Sequence, residues 1–278
     1  MNVEIGIMQG RLSPPVDGKF QAFPRDSWAE EFPRAAAANL QAIEWIYDLA
    51  DAESNPIVSD GGVGRMRNLS DQHGIEVQSL CADYFMARPL LRISSDAKKE
   101  RLAKLEWLLR RCQLAGIRRV VLPFVDASRI ENQKDQADVI QVLQQVSPLL
   151  DHLDVEIHLE TALNPEDFYA LIVAINHARI KVNYDSGNSA SLGYDPLIEW
   201  QTYGSKIGSV HIKDRTLGGG TVPLGTGASD FEKLFAGIAA CGYRGPWILQ
   251  AARSSDGEEV AWARQNRAFL QRWLDRIK

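Results

Sequence analysis

The sequence is poor in cysteine and has no excess of positive charge. Only three cysteines, Cys81, Cys112 and Cys241, occur among 278 residues, and their number and spacing indicate neither a disulfide framework nor a cysteine-based zinc site. Acidic residues outnumber basic ones by 36 to 31, giving a formal net charge of -5, which opposes non-specific binding to a phosphate backbone. We therefore expect no nucleic-acid partner, and the cysteine usage is typical of a reducing, cytoplasmic compartment.

Long hydrophobic runs are also missing. No stretch approaches the roughly 20 apolar residues that span a bilayer, and residues 1–9 lack the basic and apolar regions of a signal peptide. The sequence contains neither a Gly-x-Ser-x-Gly elbow nor an obvious pairing of cysteine with histidine, so nucleophilic catalysis has little support. We expect a cytoplasmic protein without a membrane partner.

What the sequence does contain is an alternation of short apolar, β-branched runs with longer segments of helical periodicity. This alternation predicts repeated strand-helix units around a parallel sheet. The predicted strands are 3–9, 42–46, 76–81, 119–125, 155–160, 180–185, 207–213 and 246–250. The predicted helices are 28–38, 96–115, 135–150, 165–176, 195–203, 230–240 and 258–277, with the glycine-interrupted segment 57–73 as an eighth.

Eight such units in a chain of this length predict an α/β fold, a single (β/α)8 TIM barrel over residues 1–278. Asn164 before Pro165 indicates a helix start, while Gly116 and Gly242 indicate helix ends. An open doubly wound sheet is the alternative fold. In a barrel, the functional residues lie at the C-terminal ends of the strands.

Four polar residues stand at the ends of predicted strands five to eight, where inward-pointing side chains converge. Carboxylate and carbonyl oxygens with one imidazole suit a hard or borderline divalent ion. We therefore expect one bound metal ion, Mn²⁺ or Mg²⁺ first, with Co²⁺, Zn²⁺ and Fe²⁺ also compatible. The predicted ligands are Glu160, Asp185, His211 and Gln250.

Further polar residues near the strand ends are candidates for contact with a substrate. His158 lies two residues before Glu160, so both point to the same side of a strand, although a packed core histidine is an alternative. Lys213 lies two residues after His211, so both point to the same side of their strand. Its side chain can hold a hydroxyl or phosphate group of a substrate, or form a salt bridge. The predicted substrate-binding residues are Glu44, Asp83, His158, Asn188 and Arg215.

Eight short motifs, in order, resemble those of one known family. The sequence is similar, over almost the whole chain, to the xylose isomerase-like TIM barrels of the sugar phosphate isomerase/epimerase family, relatives of the tagatose/psicose 3-epimerases and of the AP endonuclease family 2 barrels. The motifs lie at 6–12 (GIMQGRL), 21–24 (QAFP), 43–44 (IE), 79–86 (SLCADYFM), 159–161 (LET), 184–188 (YDSGN), 210–214 (VHIKD) and 222–227 (VPLGTG), the last leading to Asp230 and Phe231.

The resemblance implies one divalent metal held by Glu, Asp, His and Glu from strands five to eight. In epimerases of this family both glutamates bind the metal and exchange the proton on opposite faces of a substrate carbon. Here the second glutamate is replaced by Gln250. A carboxamide oxygen can still bind a metal, but it cannot accept a proton near neutral pH.

The expected function is therefore isomerisation or epimerisation of a small polyhydroxylated carbonyl compound, with Glu160 as the base, the metal as Lewis acid, and His211 and Lys213 completing the catalytic set. Lys213, His158 or water could return the proton, and the sequence does not choose among them. A metal-dependent dehydratase of a cyclic polyol or keto acid, of the inosose or 3-dehydroshikimate type, is an alternative, as is a non-catalytic sugar-binding barrel. A homodimer and a homotetramer both stay open.

Overall fold

The computed structural model describes residues 4–277, in which eight parallel strands close into a barrel. Each strand pairs with its sequence neighbours, and β1 pairs with β8 to complete the ring. The strands are β1 (Ile5–Met8), β2 (Ala42–Ile46), β3 (Glu76–Cys81), β4 (Arg119–Phe124), β5 (Glu156–Thr161), β6 (Ile180–Asp185), β7 (Ile207–Ile212) and β8 (Trp247–Leu249).

At least one α-helix follows every strand, which confirms the predicted (β/α)8 barrel. The helices are α1 (Glu31–Ala37), α2 (Asp60–His73), α3 (Tyr84–Ala87), α4 (Ser95–Ala115), α5 (Gln133–Leu153), α6 (Pro165–Ile175), α7 (Ser186–Leu192), α8 (Pro196–Tyr203), α9 (Phe231–Cys241) and α10 (Glu259–Arg276). No helix among residues 4–277 has the length and apolar character needed to cross a membrane.

The helix boundaries follow from local chemistry. The Asn164 side chain accepts a hydrogen bond from the backbone of Asp167 over 2.9 Å, ahead of Pro165 in the first turn of α6. Helices α4 and α9 end at Gly116 and Gly242, both in the left-handed conformation that glycine adopts without a steric penalty. The predicted start and end signals are thus confirmed.

The glycine-interrupted segment forms a regular helix, α2, although it begins later than the predicted residue 57. Ser59 caps this helix by accepting a hydrogen bond from the backbone of Gly62. A Cβ atom at Gly62 would lie 2.1 Å from the carbonyl oxygen of Pro56. Glycine is therefore required there by the close approach of two backbones rather than by a break in the helix.

Several strands are shorter than predicted. The backbone N–H of Lys213 donates to the hydroxyl of Ser186 instead of continuing β7. Gln9 and Gln250 lie just beyond the ends of β1 and β8, although their backbone N–H groups still donate to Glu44 of β2 and Ile212 of β7. Val3 of the first predicted strand lies outside the described residues. The short helices α3 and α7, which were not predicted, each begin directly in a βα loop.

The apolar core lies between the strands and the surrounding helices. Trp45 of β2 is fully buried, with its ring centroid 5.7 Å from those of both Phe23 and Trp28. Residues on the other face of the strands point into the barrel, where polar side chains are frequent. Asn183 of β6 and Ser209 of β7, for example, are buried and hydrogen-bonded to each other over 2.7 Å.

Candidate metal centre and active-site cavity

A cavity of about 470 Å³ opens at the C-terminal ends of the strands. Its volume falls within the range of pockets that bind small molecules. Polar side chains from several strand ends and loops line it, which suits a ligand rich in hydroxyl groups. Those that bear on its chemistry are Gln21, Asp83, Glu160, Asn188, Lys213, Arg215 and Gln250.

Three of the predicted metal ligands come together beside this cavity. Glu160, Asp185 and His211 each offer one ligand atom, and these atoms lie within 4.8 Å of one another. All three residues are buried. Two carboxylate oxygens and one imidazole nitrogen form a donor set that fits a divalent ion such as Mn²⁺ or Zn²⁺.

The His211 ring is oriented by a carboxylate on the opposite side of the barrel interior. Its Nε2 lies 2.7 Å from Oε1 of Glu44, whereas its Nδ1 faces Oε2 of Glu160 at 3.4 Å and Oδ2 of Asp185 at 4.0 Å. A carboxylate that accepts one ring N–H in this way fixes the other nitrogen toward a metal. The same two carboxylates favour the positively charged form of the imidazole. Burial lowers the pKa of His211, but Glu44 and Glu160 outweigh it and raise that pKa to about 10.

Glu160 is held by two amides. Nδ2 of Asn183 donates to its Oε2 over 2.9 Å, and Nδ2 of Asn188 donates to its Oε1 over 2.6 Å. Burial alone would raise the pKa of Glu160, but the hydrogen bond and charge of His211, the charge of Lys213 and the Asn183 amide outweigh it, so the pKa is lowered. The carboxylate is therefore ionised at neutral pH, as a base must be.

The two carboxylate oxygens of Asp185 make different contacts. Oδ1 accepts hydrogen bonds from the backbones of Gly187 and Asn188, at 2.9 and 2.8 Å, and so caps helix α7. Oδ2 lies 3.3 Å from Nζ of Lys213. The cap thus holds the carboxylate with one oxygen directed toward His211 and Lys213.

Lys213 and Gln250 meet at the cavity wall. Besides Asp185, Nζ of Lys213 donates to Oδ1 of Asn188 and Oε1 of Gln250, each over 3.3 Å. Nε2 of Gln250 donates to Oε1 of Gln21 over 2.9 Å. Gln250 is therefore in the cluster, with its carbonyl oxygen next to an ammonium group, and its role as a metal ligand stays a prediction.

The residues predicted to contact the substrate fall into two groups. Asp83, Asn188 and Arg215 line the cavity. Glu44 lies beneath His211, and His158 is buried deeper in the barrel, with Nδ1 2.7 Å from Oγ of Ser209 and Nε2 2.9 Å from Glu156. Both lie in the middle of their strands, so other side chains separate them from the mouth. Neither is among the residues that line this cavity.

Gln21, to which the sequence assigns no role beyond a family motif, connects several site residues. Its Oε1 accepts from Nη2 of Arg11 over 3.2 Å as well as from Gln250, and its Nε2 donates to Oδ2 of Asp83 over 2.8 Å. It lies in the irregular segment between β1 and α1, where hydrophobic periodicity gives no information. Only its place in the 21–24 motif singles it out in the sequence.

Comparison with known proteins agrees with the barrel fold. Residues 32–273 match the family model described as xylose isomerase-like TIM barrel. The L-ribulose-5-phosphate 3-epimerase UlaE of Shigella flexneri serotype 5b is 24% identical over 242 residues, which cover 81% of this chain and 82% of that protein. The matching regions of the same enzyme from three Salmonella strains span 33% of those proteins, at 32–33% identity.

Two solved structures share the fold over nearly their whole lengths. An L-ribulose 3-epimerase superposes with a TM-score of 0.77 at 19% identity, covering 99% of this chain and 96% of that one. The IOLI protein, whose structure contains a bound zinc atom, superposes with a TM-score of 0.76 at 16% identity, covering 96% and 98% of the two chains. At these identities the likeness establishes the fold.

Proposed function

The chain belongs to the xylose isomerase-like TIM barrel family, and on that premise we propose that it is a sugar or sugar phosphate isomerase/epimerase. Its substrate is a polyhydroxylated carbonyl compound, and the reaction moves a proton at the carbon next to the carbonyl. The observation that carries this proposal is the position of Glu160, an ionised carboxylate that faces the cavity beside the buried Asp185 and His211. The names of the epimerase relatives support the same reaction class.

Glu160 is the base in this proposal. It removes a proton from the substrate carbon, and the two amides that hold its oxygens keep the carboxylate directed at the cavity. Negative charge then develops on the former carbonyl oxygen of the substrate. The Lys213 ammonium, which lines the cavity, stabilises that charge.

The metal proposed for this site is a divalent ion held by Glu160, Asp185 and His211, with Gln250 as a further oxygen donor. When bound, it supplies Lewis-acid stabilisation of the oxygen on which charge develops. Mn²⁺ and Mg²⁺ are the first choices, and Co²⁺, Zn²⁺ and Fe²⁺ also suit these donors. The zinc atom in the structurally similar IOLI protein supports a metal in this fold.

Arg215 is the cavity residue that we propose for substrate recognition. Nη1 of Arg215 donates to Oδ1 of Asn188 over 2.9 Å, and its Nε donates to the carbonyl oxygen of Gly219. This leaves the rest of the guanidinium at the cavity wall, where it binds a hydroxyl or phosphate oxygen of the substrate. The three free cysteines support our placing the protein in the cytoplasm.

Dehydration is a second candidate, favoured by one observation. Gln250 cannot exchange a proton, and elimination of water next to a carbonyl requires one base to break the C–H bond. A dehydratase acting on a cyclic polyol or keto acid would use the same Glu160 and the same metal. The two reactions differ in product, since one loses water and the other keeps every atom of the substrate.

The test is solvent exchange at the reacting carbon. Wild-type protein with saturating Mn²⁺ is incubated in D₂O with a panel of ketoses, ketose phosphates and inososes, and deuterium incorporation is followed by NMR. We expect exchange by wild type, a loss of about 10²–10⁴-fold in Glu160→Gln, and no change in the exposed control Glu166→Gln. Full exchange by Glu160→Gln would exclude it as the base, whereas sugar binding without exchange by wild type would indicate a non-catalytic barrel.

A further inference from the structure

We propose that Asp83 is the second proton-transfer residue of this site, the group that returns a proton to the substrate after Glu160 has removed one. This inference rests on the proposed function, because it assigns the return step of that reaction. Because the amide of Gln250, just beyond the end of β8, cannot exchange a proton, a different residue must supply the acid.

The proton balance defines what this second group must do. Glu160 takes a proton as the C–H bond breaks, the electron pair of that bond forms a C=C bond to the carbonyl carbon, and the π pair of the carbonyl moves onto its oxygen to give an enediolate. A new C–H bond then forms with a proton from the Asp83 carboxyl group, as the carbonyl re-forms. Glu160 ends the turnover protonated and Asp83 ionised, and proton exchange with water restores both.

Asp83 is suitably placed for this step. It follows directly after β3 (Glu76–Cys81), two residues beyond the end of the strand, and it lines the same cavity as Glu160. The residue is only 8% exposed. The cavity has one further aspartate, Asp126, which is exposed at the rim. Of the two, Asp83 is the one shielded from bulk water.

Its carboxyl group is held in a fixed orientation. Nε2 of Gln21 donates to Oδ2 over 2.8 Å, and the thiol of Cys81 donates to Oδ1 over 3.1 Å. Gln21 is itself anchored by Nη2 of Arg11, a buried residue whose guanidinium also donates to the carbonyl oxygens of Phe20 and Ala251. The thiol is a weak donor, so Oδ1 is the oxygen that can carry a transferable proton.

The amide at position 250 is part of the same arrangement. Nε2 of Gln250 donates to Oε1 of Gln21, which leaves Nε2 of Gln21 to donate to Asp83. A glutamate at position 250 would present a carboxylate oxygen to Oε1 of Gln21, and the repulsion would favour a flipped Gln21 amide with its carbonyl oxygen toward Asp83. The neutral amide at position 250 therefore favours the orientation of Gln21 in which its Nε2 donates to Asp83.

The surroundings of Asp83 favour the protonated form of its carboxyl group. Burial raises the pKa of Asp83 to about 6, although the hydrogen bonds from Gln21 and Cys81 oppose this, and the negative charges of Glu160 and Asp48 act in the same direction as burial. Arg11 is the cation that interacts with it. Asp83 and Glu160 thus line one cavity as two separate carboxyl groups, each held by its own amide donor.

The experiment separates proton removal from proton return. With a substrate that wild type converts, Asp83→Asn is compared with wild type in D₂O, and two rates are measured: deuterium appearance in the recovered substrate and formation of product. We expect Asp83→Asn to keep substrate exchange within about threefold and to lose product formation by about 100-fold. The exposed control Asp96→Asn on α4 should retain both rates.

A second variant guards against a folding defect in Asp83→Asn. Gln21→Leu keeps the Asp83 carboxyl group but removes the donor that orients it through Oδ2, so it should lower product formation by about tenfold or more relative to substrate exchange. Product formation by Asp83→Asn within threefold of wild type would overturn the proposal, as would a parallel loss of both rates in folded Asp83→Asn. If wild type itself exchanges no substrate proton, the proposed function has failed instead.

Discussion

Nε2 of His211 lies 2.7 Å from Oε1 of Glu44, in a part of the barrel interior where neither side chain is exposed. This pair sets the orientation of the imidazole, because Glu44 accepts a hydrogen bond from Nε2 and leaves Nδ1 directed at Glu160. The relationship joins two residues 167 positions apart. In the proposed metal site, Glu44 would therefore affect metal affinity through the orientation of His211 rather than as a ligand.

Replacement of Glu44 should therefore weaken metal binding without removing any ligand. We expect Glu44→Gln to lower the affinity for Mn²⁺ by about 10–100-fold, the effect typical of losing such an outer partner. The measurement is calorimetric titration, with Glu76→Gln, an exposed carboxylate at the start of β3, as the control. An affinity within twofold of wild type would show that Glu44 does not orient the ligand.

Substitution of Gln250 by glutamate should have the opposite effect and strengthen metal binding. Gln250→Glu adds a carboxylate close to Lys213 and the three candidate ligands, so Mn²⁺ should bind more tightly, on the order of tenfold or 1.4 kcal/mol. The same titration measures this, and Gln250→Met serves as the control that removes the oxygen donor. Unchanged affinity in both variants would exclude position 250 from the metal site.

A buried acid near β1 should make stability depend on pH. Glu31 is fully buried and accepts hydrogen bonds from the backbones of Gly10 and Leu12, at 2.8 and 3.2 Å. Burial outweighs these bonds and raises the pKa of Glu31 from 4.5 to about 7. Because the folded state favours the protonated acid, its contribution is fully present below pH 4.5 and is lost as the pH rises through 7.

Glu31→Gln removes this titration. Relative to the variant, wild type should lose roughly 2–3 kcal/mol in the free energy of unfolding between pH 5 and pH 8. Urea denaturation of both proteins at the two pH values measures the difference. If the gap between them stays constant, Glu31 does not titrate in this range.

Gly187 provides a steric test of the position of Lys213. A Cβ atom at Gly187 would lie 2.6 Å from Cγ and 2.9 Å from Cβ of Lys213, too close for either side chain to remain in place. Gly187→Ala should cost about 1–3 kcal/mol in stability and displace the ammonium, lowering the rate of solvent exchange.

The matched control is Gly64→Ala, also within a helix. A Cβ atom at Gly64 meets no atom within 4 Å, so this variant should be neutral or up to about 1 kcal/mol more stable, since alanine is the better helix former. Urea denaturation and the exchange assay report on both variants. A Gly187→Ala protein with wild-type stability and exchange would refute the tight contact with Lys213.

Much of the fold and the centre of the site could be predicted because both depend on periodicity. The alternation of apolar runs with helical segments identified the eight strand-helix units, and polar residues at the ends of successive strands placed Glu160, Asp185 and His211 together. The alternation of side chains shows which face of a strand a residue occupies, but not how far along the strand it lies from the cavity. Glu44 and His158 were predicted to contact the substrate, yet both lie in the middle of their strands, and neither is among the residues that line the cavity.

Irregular segments could not be predicted in this way. The position of Gln21 depends on the buried guanidinium of Arg11 and on the ends of β3 and β8, three parts of the chain brought together only by barrel closure. The same holds for the pair of Lys213 with Gln250. These contacts join residues far apart in sequence, for which local propensity carries no signal.

The central claim, that Glu160, Asp185 and His211 bind one divalent ion, is tested most directly by metal content. Untagged wild type, His211→Ala and the exposed control His152→Ala are incubated with Mn²⁺, Mg²⁺, Co²⁺ or Zn²⁺, dialysed and subjected to elemental analysis. We predict about one equivalent per chain in wild type and the control, and its loss in His211→Ala. Wild type that retains none of the four ions, or His211→Ala that retains a full equivalent, would contradict the account.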